Sequence, residues 1–210
     1  MTKIISTKSS NAIEITKSYL ENCAVIVFPT ETVYGIGTLL KCEQAVERIY
    51  HLKKRDRNKP MLLHVSTKKD VTKYAMNLNQ DVFKVIEAFW PGSLSIILDA
   101  SPFTPRYAVS EDGTVGLRMP SDDFFLRLSR ETGPLIATSA NISGFTPSLT
   151  IEQAVSQFGE AVDLYVDGGK VKTGKASTIL DMRHTPPRLI REGAIKSKEI
   201  ERVIGKIISR

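Results

Sequence analysis

Cysteine, tryptophan and long hydrophobic runs are all scarce in this sequence. Its 210 residues include two cysteines and one tryptophan, and no apolar run reaches the roughly 18 residues that a membrane-spanning helix needs. Cys23 lies in an apolar stretch and Cys42 lies near a predicted helix start, without the spacing of a zinc site. We therefore expect no structural disulfide, no metal bound by protein ligands and no membrane association, as in a soluble protein of the reducing cytoplasm.

Acidic residues are outnumbered by basic ones. Against 23 Asp and Glu there are 29 Lys and Arg, which gives a formal charge of +6 at pH 7. A basic chain favours an anionic partner, and the charge alone leaves a nucleotide and RNA equally open. With 41% hydrophobic and 25% charged residues, the chain can bury one sizeable core. We predict a single domain over residues 1–210.

Helical and strand patterns alternate along the chain, which predicts an α/β sheet protein. Strands are predicted at residues 23–28, 61–65, 93–98, 115–119, 135–138, 164–166 and 178–181. Helices are predicted at residues 43–52, 71–78, 82–89, 122–131 and 200–208, and also after capping boxes that begin at Asn11 and Thr150.

A polar loop, Phe28-Pro-Thr-Glu-Thr-Val-Tyr-Gly35, follows the first predicted strand. Pro29 cannot donate to a sheet and should end the strand, while Gly35 and Gly37 allow a close approach to a ligand or a left-handed bend. Ligands of open α/β folds lie at the carboxyl ends of strands. The loop therefore predicts a binding site, with an ordinary strand-to-helix turn as the alternative.

A basic segment, Lys53-Lys-Arg-Asp-Arg-Asn-Lys-Pro60, has five basic residues and one acid. Arginine offers a planar fork of donors and lysine a point charge, a combination that suits a polyphosphate. The alternative is a solvated loop. The segment Gly169-Lys-Val-Lys-Thr-Gly-Lys-Ala176 nearly matches a P-loop, but Ala176 lacks the required hydroxyl and a strand follows where a P-loop needs a helix.

A second polar turn, Thr138-Ser-Ala-Asn-Ile-Ser-Gly144, also follows a predicted strand, and its small residues would let backbone amides reach a ligand. Its alternative is a helix-capping turn. Arg118 and Arg191 lie in or at the end of strand-like runs, where each needs an anionic ligand or a structural salt bridge. His64 is either a core residue or a site residue. No Ser-His-Asp triad or Gly-x-Ser-x-Gly motif supports a protein nucleophile.

The motifs together resemble the YrdC-type threonylcarbamoyl-adenylate synthases, in the short form without a C-terminal extra domain. The resemblance covers nearly the whole chain. It is carried in the family's order by Pro29–Gly35, Lys53-x-Arg55 with Lys59-Pro60, Phe89-Trp-Pro-Gly92, Val115-Gly-Leu-Arg-Met-Pro120, Thr138–Gly144, Ser177-Thr178 and Arg191-Glu-Gly193. It implies a twisted, largely open α/β sheet with helices on its faces and a concave, positively charged cavity.

The resemblance also implies a nucleotidyltransferase reaction. L-threonine, bicarbonate or CO2, and ATP would give threonylcarbamoyl-AMP and pyrophosphate for the t6A modification at position 37 of tRNAs. No protein nucleophile is needed, and Mg²⁺ would be held through the ATP phosphates, without an organic prosthetic group. Partners would be the downstream threonylcarbamoyl-transferase machinery and, through the basic charge, tRNA or RNA.

Site residues carry over position by position from the resemblance. Arg55 and Lys59 would stabilise the reaction electrostatically. The ATP-binding set is Lys53, Arg55, Lys59, Thr114, Ser139, Ala140, Asn141, Ser148 and Arg191. The L-threonine-binding set is Thr32, Tyr34, His64, Arg118, Thr138 and Ser177, with Arg118 pairing the substrate carboxylate. Two alternatives stay open: a non-catalytic RNA-binding or translation-associated module of the same fold, and a carbamoyl-transfer role in hydrogenase maturation, for which the chain lacks the length and the cysteines.

Overall fold

The computed structural model describes residues 2–209, and within this range twelve strands form one mixed sheet. The strands are β1 (Ile4–Ser6), β2 (Ile26–Phe28), β3 (Gly35–Leu39), β4 (Leu62–His64), β5 (Ala75–Met76), β6 (Leu94–Ala100), β7 (Thr114–Arg118), β8 (Leu135–Ser139), β9 (Leu164–Asp167), β10 (Thr178–Asp181), β11 (Arg188–Arg191) and β12 (Ile208–Ser209). The helices are α1 (Ala12–Glu21), α2 (Glu43–Lys53), α3 (Lys69–Tyr74), α4 (Gln80–Phe89), α5 (Asp123–Thr132), α6 (Ile151–Phe158) and α7 (Ser197–Ile204).

The sheet is open and its strands are not in chain order. The order is β1-β9-β2-β3-β8-β4-β7-β6-β10-β11-β12, and β5 pairs with β6 off this path. Strand β3 is antiparallel to both of its neighbours, whereas β4 and β7 are parallel. Every residue of β2, β3 and β7 is buried. The predicted α/β class with an open sheet is therefore confirmed, and the central strands carry the core.

Several local predictions are confirmed by side-chain contacts. Strand β2 ends at Phe28, directly before Pro29. Helix α6 begins after Thr150, whose hydroxyl accepts from the Gln153 amide at 3.5 Å. Helix α5, predicted at 122–131, begins after Asp122, whose carboxylate accepts from the Phe125 amide at 2.9 Å in a cap that the sequence analysis did not assign. Such caps satisfy backbone donors that the first helical turn leaves without partners.

Two predicted helices end earlier than expected, and a third lacks the capping hydrogen bond that was predicted for it. The helix predicted at 71–78 ends at Tyr74, because Ala75 turns to an extended conformation and pairs with Ala100 of β6. The helix predicted at 200–208 ends at Ile204, where Gly205 has a φ of +78°. Asn11 precedes α1, but its side chain makes no capping hydrogen bond. Apolar spacing marks these helices, while tertiary pairing and glycine set where they end.

Gly35 and Gly37 do not form a left-handed bend, because both lie inside β3. A Cβ on Gly37 would come within 2.8 Å of the Ile136 carbonyl oxygen and of Ala137 Cβ, and one on Gly35 within 3.0 Å of the Phe28 ring. These glycines leave room for the Phe28 ring, which stacks on Phe125 with ring centroids 5.5 Å apart. The sequence prediction missed this strand because glycine disfavours strand interiors.

The two cysteines form a disulfide, so the expectation of no structural disulfide was wrong. The Cα atoms of Cys23 and Cys42 are 5.4 Å apart. Cys23 follows α1 with a φ of +57°, and Cys42 lies directly before α2. The sheet brings the two segments together because Ile26 of β2 pairs with Gly37 of β3. None of the helices within residues 2–209 has the length and apolar character needed to cross a membrane.

Candidate active site

A cleft in the sheet brings together residues from most of the sequence motifs. The predicted site residues that line it are Tyr34, Arg55, His64, Arg118, Thr138, Ser139, Ser177 and Arg191. Strand register explains much of this assembly, because His64 pairs with Arg118 and Gly35 pairs with Ser139 across neighbouring strands. Residues more than 100 positions apart in the chain thus face one cavity.

Arg118 is buried and is bonded to a carboxylate. Its Nη2 atom donates to Glu31 Oε1 at 2.6 Å and to Thr32 Oγ1 at 2.8 Å, and its Nε donates to the Gly92 carbonyl oxygen at 3.4 Å. The side chains of Arg118 and Glu31 are only 5% and 10% exposed, so this ion pair is largely shielded from water. Within residues 2–209, Nη1 of Arg118 has no hydrogen-bond partner.

Arg55 is held by backbone carbonyls instead. Its Nε donates to the Lys59 carbonyl oxygen at 2.7 Å and its Nη2 to the Pro60 carbonyl oxygen at 3.0 Å. Burial lowers the pKa of its guanidinium below the usual value. The Lys59 carbonyl thus holds Arg55, while Lys59 itself is exposed and is not among the residues that line the cleft.

Arg191 is held in the same way at the end of β11. Its Nε and Nη2 donate to the Ser177 carbonyl oxygen at 3.1 and 2.8 Å, and Nη2 also lies 3.4 Å from Ser177 Oγ. Ser177 Oγ in turn lies 2.9 Å from Ser95 Oγ. Burial lowers the pKa of Arg191, and the positive charges of Arg118 and Arg55 lower it further. Arg191 therefore lies close enough to the other two guanidinium groups to be affected by their charges.

The three arginines share one geometry and differ in charge compensation. Each uses Nε and Nη2 for contacts within the protein, and in the described part of the chain each leaves Nη1 without a partner. Arg118 is paired with Glu31, whereas Arg55 and Arg191 form hydrogen bonds only to neutral groups, and Arg55 is attracted by the Asp56 carboxylate without forming an ion pair with it. Among residues 2–209, the cleft thus has one end with an ion-paired arginine and one end with two arginines that form no ion pair.

Glu31 is the site residue that the sequence analysis did not assign. Besides Arg118, its carboxylate accepts from Ser93 Oγ at 2.9 Å and from the Ser121 amide at 3.2 Å. Its carbonyl oxygen accepts from the Thr173 amide and hydroxyl at 3.0 and 2.5 Å, which binds the Gly/Lys-rich loop 168–176. The signal for it was a carboxylate among hydroxyls in the loop 28–35, directly beside Thr32.

His64 is neutral in this site. Its Nδ1 lies 3.3 Å from the Leu62 carbonyl oxygen, which can only accept, so Nδ1 carries the proton and Nε2 is an acceptor. Its ring packs edge-on against Phe28 and Phe125. Burial, together with the charge of Arg118, lowers the pKa of His64 to about 3. Its chemistry is therefore that of a hydrogen-bond acceptor and not of an acid.

Lys53 ends α2 and holds the second polar turn. Its Nζ donates to the carbonyl oxygens of Ser139 and Asn141 at 2.5 Å each, and its own carbonyl accepts from the Ser143 amide at 2.8 Å. The side chain is buried, and burial together with the charge of Arg55 lowers its pKa to about 7. Lys53 lies next to the phosphate-binding candidates without lining the cleft itself.

The predicted nucleotide turn is also bonded internally. The Ala140 amide donates to the Tyr34 carbonyl oxygen at 2.7 Å, and the buried Ser148 hydroxyl donates to the Ala140 carbonyl oxygen at 2.6 Å. Asn141 Nδ2 donates to the carbonyl oxygens of Ile142 and Phe145, while Asn141 Oδ1 has no partner within residues 2–209. Ala140, Asn141 and Ser148 shape this turn, and Ser139 is its member that lines the cleft.

Thr32 and Tyr34 connect the first polar loop to its surroundings. Thr32 is fully buried between Thr30 and Arg118, with its hydroxyl 2.9 Å from Thr30 Oγ1. The Tyr34 hydroxyl donates to the Gly169 carbonyl oxygen at 2.7 Å and accepts from the Gly168 amide, while burial raises its pKa. The loop 168–176 leads into β10, the strand that excluded a P-loop.

Thr114 is a predicted site residue that does not line the cleft. It begins β7, whereas Arg118 ends it, so the two Cα atoms are separated by roughly 13 Å at the usual rise of a strand. Its hydroxyl donates to Asp112 Oδ1 at 2.9 Å and lies beside Ser110. Within residues 2–209, no group of three or more His, Cys, Asp or Glu side chains is placed to hold a metal ion.

The fold and the cleft define an α/β domain in which three arginines from distant segments of the chain, Arg55, Arg118 and Arg191, line one cavity. A family model, Sua5/YciO/YrdC, which carries the description "Telomere recombination", matches residues 18–193. The chain therefore belongs to the Sua5/YciO/YrdC family.

Individual relatives agree with this assignment. The chain is 33% identical over 196 residues to a threonylcarbamoyl-AMP synthase of Pyrococcus abyssi (strain GE5 / Orsay), covering 93% of this chain and 58% of that protein. It is 36% identical over 186 residues to a threonylcarbamoyl-AMP synthase of Bacillus subtilis (strain 168), covering 87% and 54%. The crystal structure of P. abyssi Sua5 complexed with L-threonine superposes with a TM-score of 0.94 at 31% identity, covering 100% of this chain and 62% of that one. The chain thus spans little more than half the length of these relatives.

Proposed function

We propose that this protein is a threonylcarbamoyl-AMP synthase that joins L-threonine, bicarbonate or CO2, and ATP. The observation that carries the proposal is the difference among the three arginines of the cleft. A single carboxylate suits Arg118, whose charge Glu31 already compensates, whereas a triphosphate suits Arg55 and Arg191, which form hydrogen bonds only to neutral groups. The names of the relatives support the same assignment.

The L-threonine end is assigned from donor and acceptor chemistry. Nη1 of Arg118 would donate to the substrate carboxylate, with Thr32 holding the guanidinium in place. Nε2 of His64 is an acceptor, so it would take a hydrogen bond from a substrate hydroxyl or ammonium group. Tyr34, Thr138 and Ser177 complete this wall of the cleft. An analogue without the hydroxyl would leave buried polar groups unpaired.

The ATP end combines direct and indirect contributions. Nη1 of Arg55 and of Arg191 would donate to phosphate oxygens, and Ser139 would contact the nucleotide. Lys53 adds positive charge and fixes the turn of Ala140, Asn141 and Ser148. Lys59 and Thr114 would contact the nucleotide from outside the set of residues that line the cleft. Mg²⁺ would be coordinated by phosphate oxygens and water and would neutralise charge on the leaving group.

The reaction needs alignment more than side-chain chemistry. The threonine amine adds CO2 and loses a proton to give a carbamate. A carbamate oxygen then bonds to the α-phosphorus, while the bond from that phosphorus to the bridging oxygen breaks and pyrophosphate leaves. Fixed cations that meet the developing negative charge lower this barrier without forming a covalent intermediate. The product would supply the t6A modification of tRNA through a threonylcarbamoyl-transferase in the cytoplasm. The proposal assigns this activity to one catalytic domain over residues 1–210, which the continuous sheet supports.

A pyrophosphate-release assay tests the proposal. ATP, bicarbonate and L-threonine should give pyrophosphate and a product with the mass of threonylcarbamoyl-AMP. Replacing L-threonine with L-valine, which lacks the hydroxyl, should reduce kcat/KM by roughly 100-fold or more. Pyrophosphate release that is independent of the amino acid, or binding of RNA without any turnover, would reject the synthase assignment.

A further inference from the structure

We propose that Glu31 sorts the two anionic substrates, because it neutralises Arg118 and so restricts the triphosphate to Arg55 and Arg191. This inference rests on the proposed function and names the residue that decides which anion each end of the cleft accepts. Glu31 would act as a specificity-determining residue through Arg118, without contacting the reacting atoms.

The carboxylate of Glu31 is fixed in its position. Its oxygens accept hydrogen bonds from Arg118 Nη2 at 2.6 Å, Ser93 Oγ at 2.9 Å and the Ser121 amide at 3.2 Å. These donors come from two segments of the chain, one at Ser93 and one at residues 118–121. The main chain of Glu31 is held as well, because its carbonyl oxygen accepts from Thr173. The negative charge therefore cannot move aside when a ligand enters.

The need for sorting follows from the similarity of the three arginines. All three line the same cleft, and each leaves Nη1 free for a ligand in the described part of the chain. By donor geometry alone, each guanidinium could bind a phosphate oxygen. Only Arg118 has a carboxylate partner, and that carboxylate repels a polyanion more strongly than it repels a zwitterionic amino acid. The charge of Glu31, and not the shape of the arginines, would therefore direct the two anions to different ends of the cleft.

Glu31→Gln is the matched test, because glutamine keeps the size and one acceptor oxygen while it removes the charge. Its control is Glu87→Gln, which makes the same change of net charge at an exposed ion pair with Lys68. L-threonine binding is measured calorimetrically with and without excess pyrophosphate. In the wild type and in Glu87→Gln, pyrophosphate should compete with ATP and leave the affinity for L-threonine unchanged. In Glu31→Gln, pyrophosphate should also displace L-threonine and weaken its apparent affinity by about tenfold or more.

The outcomes separate this inference from the proposed function. If pyrophosphate competes only with ATP and not with L-threonine in Glu31→Gln, the inference that Glu31 sorts the substrates is overturned, while the synthase assignment stays intact. A wild type that binds neither L-threonine nor ATP would reject the synthase assignment itself. General damage to the pocket would weaken L-threonine binding without creating a new competition by pyrophosphate, so the two effects are distinguishable.

If Glu31→Gln fails to fold, the wild type alone can still test the inference. Loss of the carboxylate leaves a buried guanidinium without its partner, which is destabilising. Titration of the wild type with pyrophosphate should reveal one site per chain, and saturating ATP should abolish it. Displacement of L-threonine by pyrophosphate in the wild type would overturn the inference without any variant.

Discussion

Lys53 and Ser139 are joined by a hydrogen bond of 2.5 Å between the lysine Nζ and the serine carbonyl oxygen. The bond joins the end of α2 to the end of β8, and a second bond from the same Nζ holds the carbonyl of Asn141. The basic segment and the second polar turn are therefore one structural unit. The turn that contributes Ser139 to the cleft is thus held by a buried lysine.

Nucleotide binding should weaken as the pH rises through about 7. The pKa of Lys53 is lowered to about 7 by burial and by Arg55, so the side chain loses its charge above that pH, and the phosphates lose one nearby cation. The dissociation constant for ATP should rise across this range in the wild type. In Lys53→Met it should be higher than in the wild type at about pH 6, and it should vary less between about pH 6 and 8. Calorimetric titration with ATP at several pH values measures both.

The same lysine should make the fold more stable at higher pH. In the unfolded chain the pKa of Lys53 is near 10.5, so between about pH 7 and 10.5 the unfolded state holds a proton that the folded state lacks. The free energy of unfolding due to Lys53 therefore rises with pH across that window. Urea unfolding of the wild type and Lys53→Met should show a smaller rise for the variant. Equal slopes would contradict the low pKa.

Arg55→Ala should remove activity without unfolding the protein. It deletes a cation of the cleft that forms hydrogen bonds only to neutral groups, and we expect kcat/KM for ATP to fall roughly 100-fold or more. Arg57→Ala is the control, because Arg57 lies two residues away, is exposed and pairs with Glu47. Its activity should stay close to that of the wild type. Similar losses in both variants would point to general loop charge instead of a specific phosphate contact.

Gly37→Ala should destabilise the fold more than Gly116→Ala. A Cβ at residue 37 would meet the Ile136 backbone carbonyl and Ala137 at 2.8 Å, and these cannot move without disturbing β8. A Cβ at residue 116 would meet only the end of the Leu62 side chain, which can rotate away. We expect a loss of about 1–3 kcal/mol in the free energy of unfolding for Gly37→Ala. Denaturant unfolding of both variants measures this difference in stability. An equal loss of unfolding free energy in the two variants would show that the Leu62 side chain is held as firmly as the backbone of β8.

Reduction of the disulfide should lower stability while the cleft stays formed. Cys23 and Cys42 are separated by 19 positions, and a loop of that length contributes about 3 kcal/mol when it is closed. The double variant Cys23→Ser and Cys42→Ser should therefore unfold at lower urea, and a reductant should shift the wild type but not the variant. A wild-type midpoint that is insensitive to reductant would show that the bond does not form in solution.

The sequence predicted elements whose signal is local. Apolar and β-branched runs located β4, β6 and β7, the predicted helix at 122–131 located α5, and Thr150 marked the start of α6 as a cap. Strand β3 was missed because two of its five residues are glycine, and glycine there serves the packing of Phe28. That requirement exists only after the fold has formed, so no local pattern reports it.

The site shows the same division between local and tertiary information. Arg55, Arg118 and Arg191 were identified from their motifs, and the structure brings all three to one cleft. Glu31 was not assigned, because its partner Arg118 is 87 positions away and either of two interpretations of Arg118, a ligand contact or a salt bridge, fitted the sequence. The structure shows that the salt bridge exists and that, within residues 2–209, Nη1 of Arg118 has no partner.

The free Nη1 atoms also have an entropic consequence. Long arginine side chains normally lose rotamer freedom when they bind an anion, a cost of up to about 2 kcal/mol each. Here the Nε and Nη2 contacts of Arg55, Arg118 and Arg191 immobilise all three groups during folding. A ligand therefore meets donors that are already ordered, and most of the ordering cost falls on folding instead of on association.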